Sequence, residues 1–368
     1  MKGYQSGLDI AQIVPYYPPH LGGMEAVAAF LAEGLAVNNR VRVLTSRVGA
    51  SRGSTLETPN LTVHRFPAFE MANIPVFPTA LASILTLPRD TILHVHAIQA
   101  FAPELATLGS LLGRRPLVAH YHFDVNPTSR PRLLTAYKRH VLAPILRRAD
   151  RVIVLDEAQA SEVHDWYRVP TDRIRVLANG VHSRFFSNSE PEEIKDRPYR
   201  LLFVGRLSSQ KNVNRLLDAV NLLGRPFELV IAGDGGQGEE LKRRVAASGS
   251  PGIRFVGHQT GDELVNWYRW ADVLVSSSNR EGMPLVFLEA MASGVPIVGT
   301  DVPGSRETLA GVGLAVPPIP SALAEALRSL ADDVARRREM ATAGRLRVAG
   351  RSWSSVSDRL EMIYRELL

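Results

Sequence analysis

The sequence contains no cysteine among its 368 residues. A disulfide framework, a thiolate zinc site and a cysteine nucleophile are therefore excluded, and the composition suits a reducing compartment. Long apolar runs are missing too, because no stretch reaches the length needed to span a bilayer. The first residues, MKGYQSGLDIAQIVPYYPP, carry one lysine and an apolar run too short for a signal peptide. We expect a cytoplasmic protein.

The composition is that of an ordinary globular protein, with 45% hydrophobic and 22% charged residues. A chain of this length predicts two domains, each with its own core. The net charge is +6, and the excess lies in residues 1–186, which hold 20 Lys/Arg against 14 Asp/Glu. Residues 187–368 hold 23 of each.

Much of that excess lies in one segment, residues 130–151, which reads RPRLLTAYKRHVLAPILRRADR. Its seven cations face a single acid, Asp150; they are Arg130, Arg132, Lys138, Arg139, Arg147, Arg148 and Arg151. Apolar residues recur beside them at helical spacing. Two interpretations stay open, a solvated basic helix face and a peripheral contact with an anionic membrane.

Apolar strand patterns alternate with amphipathic helical patterns along the whole chain. The continuous apolar character of the strands predicts parallel sheets covered on both faces. A polar, proline-bearing stretch at 187–200 interrupts the alternation and indicates a linker. We therefore predict an α/β protein with two tandem Rossmann-like doubly wound domains, residues 1–186 and 187–352. The apolar stripe of residues 353–368 predicts a terminal helix that packs back on the first domain.

Ligands of such sheets bind beyond the carboxyl ends of the strands, where glycines and helix amino termini meet them. After the first strand, Gly22 and Gly23 open a helix in PPHLGGME. Another strand ends in VGRLSSQK, where Arg206 follows Gly205 and Lys211 lies five residues on. Two cations at such a position suit a diphosphate, although two surface cations fit the same pattern.

A further glycine-rich loop, AGDGGQGEEL, has Gly233, Gly235 and Gly238 in the spacing G-x-G-x-x-G. A dinucleotide site of that type needs an acid at the end of the next strand. That strand ends instead in Gly257 and His258, so a nucleotide loop of another kind is the better interpretation.

Two glutamates, Glu281 and Glu289, lie eight positions apart in NREGMPLVFLEAMASGVPIVGTD. We expect Glu281 on a loop at the carboxyl edge and Glu289 about two turns into a helix, with their separation close to whole helical turns. A carboxylate accepts two hydroxyl hydrogen bonds, as ribose binding requires. Backbone N–H groups around Met283, Pro284 and Leu285 could cap phosphate oxygens.

Together these motifs resemble the retaining nucleotide-sugar glycosyltransferases of family 4. The resemblance rests on EGMPLVFLEAMASGVPIVGTDVPGSRE, VGRLSSQKNV, AGDGGQGEEL, VGHQTGDEL, LANGVH and PPHLGGME, and it covers the chain in order. It implies the GT-B architecture, with the active site in the cleft between two Rossmann-like domains. The catalytic residues that it implies are His122, Arg206, Lys211 and Glu281. The donor-binding residues that it implies are Gly22, Gly23, Gly205, Gly233, Gly257, His258, Met283, Pro284, Leu285 and Glu289.

The resemblance also implies roles. Arg206 and Lys211 would neutralise the donor diphosphate, Glu289 would hold the ribose and Glu281 would contact the donor sugar. The family is thought to retain configuration by front-side attack, with the leaving phosphate accepting the proton. The acceptor hydroxyl would belong to a lipid-linked glycan or to a small-molecule or natural-product glycoside.

We expect no metal and no cofactor, because the chain has no Asp-x-Asp, the usual place for a metal that bridges the diphosphate. We expect no nucleic-acid partner. Two alternatives stay open: a nucleotide-sugar 2-epimerase of the same architecture, and a noncatalytic protein that binds sugar nucleotides.

Overall fold

The computed structural model describes residues 7–50, 56–71, 74–96, 100–122, 131–250 and 252–368. The chain divides into two compact units. The first comprises residues 1–179 together with 353–368, and the second comprises residues 180–352. No helix in the described ranges is both long and apolar enough to cross a bilayer.

The first unit is built on an eight-stranded sheet in the order β10-β9-β8-β7-β1-β2-β4-β3, parallel except for β3. A separate two-stranded sheet pairs β5 with β6. The strands are β1 Asp9–Val14, β2 Arg40–Ser46, β3 Leu56–Glu57, β4 Leu61–Phe66, β5 Phe69–Met71, β6 Ile74–Val76, β7 Ile92–His96, β8 Leu117–His120, β9 Arg151–Val154 and β10 Ile174–Val176.

Helices cover this sheet and connect its parallel strands. They are α1 Gly23–Leu35, α2 Ala80–Leu85, α3 Ala102–Gly113, α4 Pro131–Tyr137, α5 Ala143–Arg148, α6 Glu157–Tyr167 and α14 Trp353–Arg365. A π-helical turn, Lys138–Leu142, joins α4 to α5, and short 3₁₀ turns lie at Thr171–Arg173 and, in the second unit, at Ser183–Phe185. Helix α14 packs against α1, where Trp353 stacks on Phe30 with ring centroids 5.0 Å apart.

The second unit has a six-stranded parallel sheet in the order β13-β12-β11-β14-β15-β16. Its strands are β11 Tyr199–Val204, β12 Phe227–Ala232, β13 Ile253–Gly257, β14 Val273–Ser276, β15 Ile297–Thr300 and β16 Leu314–Val316. Its helices are α7 Val213–Asn221, α8 Gly238–Ser248, α9 Gly261–Trp270, α10 Leu285–Ser293, α11 Ser305–Leu309, α12 Pro320–Asp332 and α13 Val334–Val348.

Apolar residues bury both faces of this second sheet, because neighbouring residues of a strand point to opposite sides. In β11, Leu201 and Phe203 belong to one core cluster, whereas Leu202 belongs to the other. All three side chains are at most 1% exposed. The prediction of doubly wound parallel sheets is thereby confirmed in both units.

Strand order determines where each sheet can bind a ligand. In the second sheet the order reverses beside β11, which pairs with β12 on one side and with β14 on the other. In the first sheet β1 occupies the equivalent place, between β2 and β7. Loops after such strands diverge to opposite faces of the sheet and leave a crevice at its carboxyl edge.

Candidate active site

Three glycine loops meet at the carboxyl edge of the second sheet. They follow β11, β12 and β13 and contain Gly205, Gly233 and Gly257, with φ values of 155°, 147° and 71°. Backbone hydrogen bonds join them, from Gly205 N to Ala232 O at 3.0 Å and from Gly233 N to Gly257 O at 2.7 Å. A side chain at Gly233 would place its Cβ 2.0 Å from Gly205 O, so glycine is required there for the close approach.

The glycine-rich loop continues this packing up to helix α8. A Cβ at Gly235 would lie 2.4 Å from Leu207 O, and Gln237 N donates to that same oxygen at 3.1 Å. The carboxylate of Asp234 accepts a hydrogen bond from His258 N at 2.9 Å. The loop is thus held against its neighbours by backbone contacts, with Gly238 opening the helix.

The two glutamates of the motif lie on different kinds of structure. Helix α10 begins at Leu285 with Pro284 as its N-cap, so Glu281 lies on the preceding loop and Glu289 in the helix. The two glutamates are therefore not separated by whole turns of one helix, contrary to our prediction. Proline at 284 explains the boundary, because its ring is disfavoured in a helix interior and is accepted at a helix start.

Lys211 and Glu281 form an ion pair at the reversal point of the second sheet. The Nζ atom of Lys211 lies 2.6 Å from Oε1 of Glu281, and their side chains are 19% and 6% exposed. Ser278 Oγ donates to the same oxygen at 2.5 Å. Lys211 follows β11 and Glu281 follows β14, so the strand order itself brings together residues that are far apart in sequence.

Arg206 lies on the loop that follows β11 and is exposed. Lys211 lies on the same loop, two residues before helix α7 begins at Val213, and its side chain is 19% exposed and paired with Glu281.

Glu289 is partly buried beside Tyr268, a residue that our sequence analysis did not single out. The Tyr268 hydroxyl donates to Oε2 of Glu289 at 2.8 Å. Loss of water around the carboxyl group raises the pKa of Glu289 to about 7, while the Tyr268 hydrogen bond lowers it. Glu289 therefore changes its charge near neutral pH.

The first unit places another polar cluster after β1, at the start of helix α1. Glu25 is only 5% exposed, and its Oε1 lies 2.7 Å from Nδ1 of His20. His20 also stacks on Tyr16, with centroids 4.2 Å apart. A Cβ at Gly22 would collide with the Glu25 carboxylate, whereas nothing lies within 4 Å of one at Gly23. Gly22 thus accommodates Glu25, and Gly23 leaves open space.

Four histidines form a stack at and beyond the carboxyl ends of β7 and β8. They are His94, His96, His120 and His122. His122 Nε2 lies 2.8 Å from His96 Nδ1, and its ring lies 4.2 Å from that of His120. Burial lowers the pKa of His122 to about 3, so its imidazole is neutral at physiological pH. His122 therefore acts here as a neutral hydrogen-bonding group.

Three of these residues, His94, His96 and His120, have nitrogens within 4.8 Å of one another. Neutral imidazoles are good zinc ligands, but tetrahedral coordination needs lone pairs that converge on one point about 2.0 to 2.1 Å from each nitrogen. Their ring planes lie within 12° to 25° of parallel. In nearly parallel rings the nitrogen lone pairs run alongside one another and do not converge on one point. The three histidine rings would therefore have to rotate before they could hold a metal ion.

Each unit also contains residues that our sequence analysis missed, namely His20, Glu25 and His96 in the first unit and Tyr268 in the second. An acid inside the apolar helix start HLGGMEAVAAF was the available signal for Glu25. Period-two spacing in ILHVH was the signal for a histidine face that includes His96. Tyr268 gave no signal, because an aromatic residue on an amphipathic helix is ordinary.

The cations of the basic segment, residues 130–151, differ in exposure and in ion pairing more than predicted. Arg130 lies outside the described residues. Lys138 is only 7% exposed, and Arg151 pairs with Glu366 at 3.0 Å. Lys138 lies four residues from both Leu134 and Leu142, so helical spacing places it on the face of the segment that packs inward. Arg132, Arg139, Arg147 and Arg148 are exposed.

Doubly wound sheets bind their ligands where the strand order reverses, which is where Lys211 and Glu281 lie. A model described as Glycosyltransferase Family 4 matches residues 21–185, and one described as Glycosyl transferases group 1 matches residues 198–333. A GDP-mannose-dependent alpha-mannosyltransferase of Mycolicibacterium smegmatis is 30% identical, and the match covers 83% of both chains. The chain therefore belongs to glycosyltransferase family 4.

Other relatives and solved structures agree with this assignment. A GDP-mannose-dependent alpha-mannosyltransferase of Mycobacterium tuberculosis is 28% identical over 96% of this chain and 95% of its own. An alpha-D-kanosaminyltransferase of Streptomyces kanamyceticus is 29% identical, and the match covers 76% of this chain and 79% of that enzyme. Sucrose-phosphate synthase from Thermosynechococcus elongatus has a TM-score of 0.78 at 21% identity, covering 98% and 99%. The structure of Anabaena HepE in complex with UDP and glucose has a TM-score of 0.76 at 16% identity, and the match covers 98% of this chain and 100% of HepE. These structures show the GT-B fold.

The buried ion pair yields a stability prediction. Lys211→Met leaves Glu281 without its counter-charge, and breaking a buried pair costs about 3 kcal/mol of unfolding free energy. The double variant Lys211→Met with Glu281→Gln should recover most of that loss, because no uncompensated charge remains. Urea unfolding of the wild type, both single variants and the double variant measures the coupling. Additive single effects would contradict the pairing.

Proposed function

We propose that this glycosyltransferase moves a sugar from a nucleoside-diphosphate sugar to an acceptor hydroxyl with retention of anomeric configuration. The single observation that carries the proposal is the reversal point of the second sheet, where Arg206 and the Lys211–Glu281 pair lie beside tightly packed glycine loops. The glycine loops at the carboxyl edge of this sheet leave room for phosphate oxygens, and the neighbouring cations suit a leaving diphosphate.

Each group has a proposed task in the transfer. Negative charge develops on the leaving phosphate, and Arg206 and Lys211 stabilise it. Donor phosphate would draw Lys211 away from Glu281, which frees that carboxylate to accept hydrogen bonds from the sugar. Glu289 accepts from the ribose hydroxyls, and the N–H groups near Met283 and Leu285 contact phosphate. The loop at Gly257 and His258 flanks the base.

The first unit has the proposed acceptor role. Gly23 leaves room at the start of α1 for a ligand oxygen, with Gly22 next to it, and His122 offers a neutral ring to a sugar hydroxyl. The front-side mechanism transfers the acceptor proton to the leaving phosphate. No general base is needed in this scheme, which agrees with the low pKa of His122.

The donor diphosphate is proposed to be neutralised by Arg206 and Lys211 alone, without a divalent metal. The proposed acceptor is a hydroxyl of a lipid-linked glycan or of a small-molecule or natural-product glycoside. A cytoplasmic location with peripheral contact at the inner membrane face is part of the same proposal. The exposed arginines of residues 131–148 support it.

The decisive experiment is a donor panel incubated with and without acceptors and scored for nucleotide release and product mass. We expect release to depend on an acceptor, the product to carry the donor's anomeric configuration, and activity to survive excess chelator. Turnover without any acceptor would support the epimerase instead, although the named relatives are transferases. Binding without turnover across the panel would support the noncatalytic alternative.

Arg206→Ala tests the role in diphosphate stabilisation. Because Arg206 is exposed, the variant should fold normally, and loss of one charge-assisted donor should lower kcat/KM by about 10²- to 10³-fold. Arg243→Ala, a matched exposed arginine on α8, should retain wild-type activity. Near-normal turnover of the folded Arg206→Ala protein would refute this role.

The pKa of Glu289, raised by burial to about 7, predicts a pH-dependent donor affinity. Below that pKa the carboxyl group is protonated and accepts ribose hydrogen bonds less well. Affinity for the intact nucleotide sugar should therefore weaken about tenfold from pH 8 to pH 6, measured by calorimetry. The Glu289→Gln variant should bind the nucleotide sugar more weakly than the wild type at pH 8, and its affinity should change little with pH. A wild-type profile as flat as that of the Gln variant would contradict the ribose contact.

A further inference from the structure

A groove rich in arginine lies on the first unit, away from the histidine stack and the Gly22 loop, and it includes Arg147 and Arg148 of the basic segment. Its volume is about 650 Å³. It is lined by Ser110, Leu111, Arg114, Arg115, Pro116, Arg147, Arg148, Asp150, Arg173 and Leu367. Five guanidinium groups thus surround one carboxylate.

The groove lies at the amino edge of the sheet. Helix α3 ends at Gly113 before β8, α5 ends at Arg148 before β9, and the 3₁₀ turn at 171–173 precedes β10. His122 and the loop containing Gly22 follow the carboxyl ends of β8 and β1. Since all these strands are parallel, the groove occupies the opposite edge from the candidate acceptor site.

Few of the groove's positive charges are balanced within the protein. Asp150 is engaged, because its Oδ2 accepts from Leu117 N at 2.8 Å. Within the described residues, no carboxylate lies at ion-pair distance from Arg114, Arg147 or Arg148. Two helix carboxyl ends add about half a negative charge each. A net charge of about +3 remains in the groove.

Arginines at helix ends often serve only as caps, and two groove residues do bind carbonyls. Arg115 donates to Pro88 O at 2.9 Å and to Leu85 O at 3.1 Å, and Arg173 donates to Arg147 O at 2.9 Å. However, Arg115 is 5% exposed and its Nη1 is buried without a partner among the described residues. Arg114, Arg147 and Arg148 show no such capping bond. Capping therefore accounts for only part of the cluster.

We propose that this groove binds the phosphate group of an anionic ligand at a second site, separate from glycosyl transfer. Guanidinium groups present paired donors that match phosphate oxygens, and several can engage one phosphate together. The same chemistry is offered by a free phosphorylated anion and by a phospholipid headgroup. Leu111, 46% exposed on the groove wall, adds an apolar contact beside the arginines.

The test variant is Arg147→Ala with Arg148→Ala, at the exposed end of α5. The matched control is Arg132→Ala with Arg139→Ala, which removes the same charge from the same helical segment but lines a different groove. Both pairs are made in the full chain, with and without Arg206→Ala, which weakens the proposed donor site. Circular dichroism and thermal unfolding confirm that each variant is folded.

Two probes separate the sources of phosphate. Inorganic pyrophosphate is measured by equilibrium dialysis, and phosphatidylcholine vesicles with or without phosphatidylglycerol are measured by sedimentation at low salt. For a free anion, pyrophosphate affinity should fall about tenfold or more in the groove variant and little in the control. For a headgroup, the groove variant should lose clearly more sedimentation with anionic vesicles than the control, although both pairs belong to the exposed arginines of residues 131–148.

Equal pyrophosphate affinity and equal sedimentation of the wild type, groove variant and control would overturn the proposal. Equal losses in the groove variant and the control would overturn it too, because they would indicate general charge attraction. Neither measurement depends on turnover, so failure of the proposed transfer activity would leave these outcomes readable.

Discussion

Parallel strand pairing is the constraint on which the chemistry of this protein depends. It sends every strand of a sheet in the same direction, so the loops that follow the strands gather at one edge. In the second unit this brings Lys211 beside Glu281 across the β11–β14 pair. In the first unit it brings His96 beside His122 across β7 and β8. Neither pair could form on an antiparallel sheet with the same residues, because the loops would lie at opposite edges.

The same constraint explains the burial of the polar groups. Both faces of each sheet are covered, so polar side chains near strand ends lose water and must find partners. Lys211 supplies the counter-charge of Glu281, and the Tyr268 hydroxyl donates a hydrogen bond to Glu289. The histidines of β7 and β8 adopt neutral forms, since burial makes the charged imidazole costly. The carboxyl edge of the second sheet is therefore polar, with Lys211 and Glu281 balancing each other's charge and Arg206 exposed to solvent.

Much of the fold could be predicted because long apolar runs dominate it. The predicted alternation of apolar strands and helices is present in both units, with β1, β7 and β11 among the buried strands. The short strands β5 and β6 were missed, since segments of three residues are too short to show a periodic signal. Lys138 was placed wrongly on the surface, because its charge was given more weight than its helical spacing from Leu134 and Leu142, which puts it on the inward face. Partners such as Tyr268 depend on tertiary contacts, which lie beyond local pattern.

Helix α14 gives the first unit a discontinuous chain. Residues 353–368 contribute Trp353 to the packing on Phe30 and Tyr364 to the hydrogen bond with His94. The entire second unit is inserted between these residues and Asn179. During synthesis, Tyr364 therefore leaves the ribosome after the whole second unit. The hydrogen bond between Tyr364 and His94 can form only then, so the packing around the histidine stack is completed late.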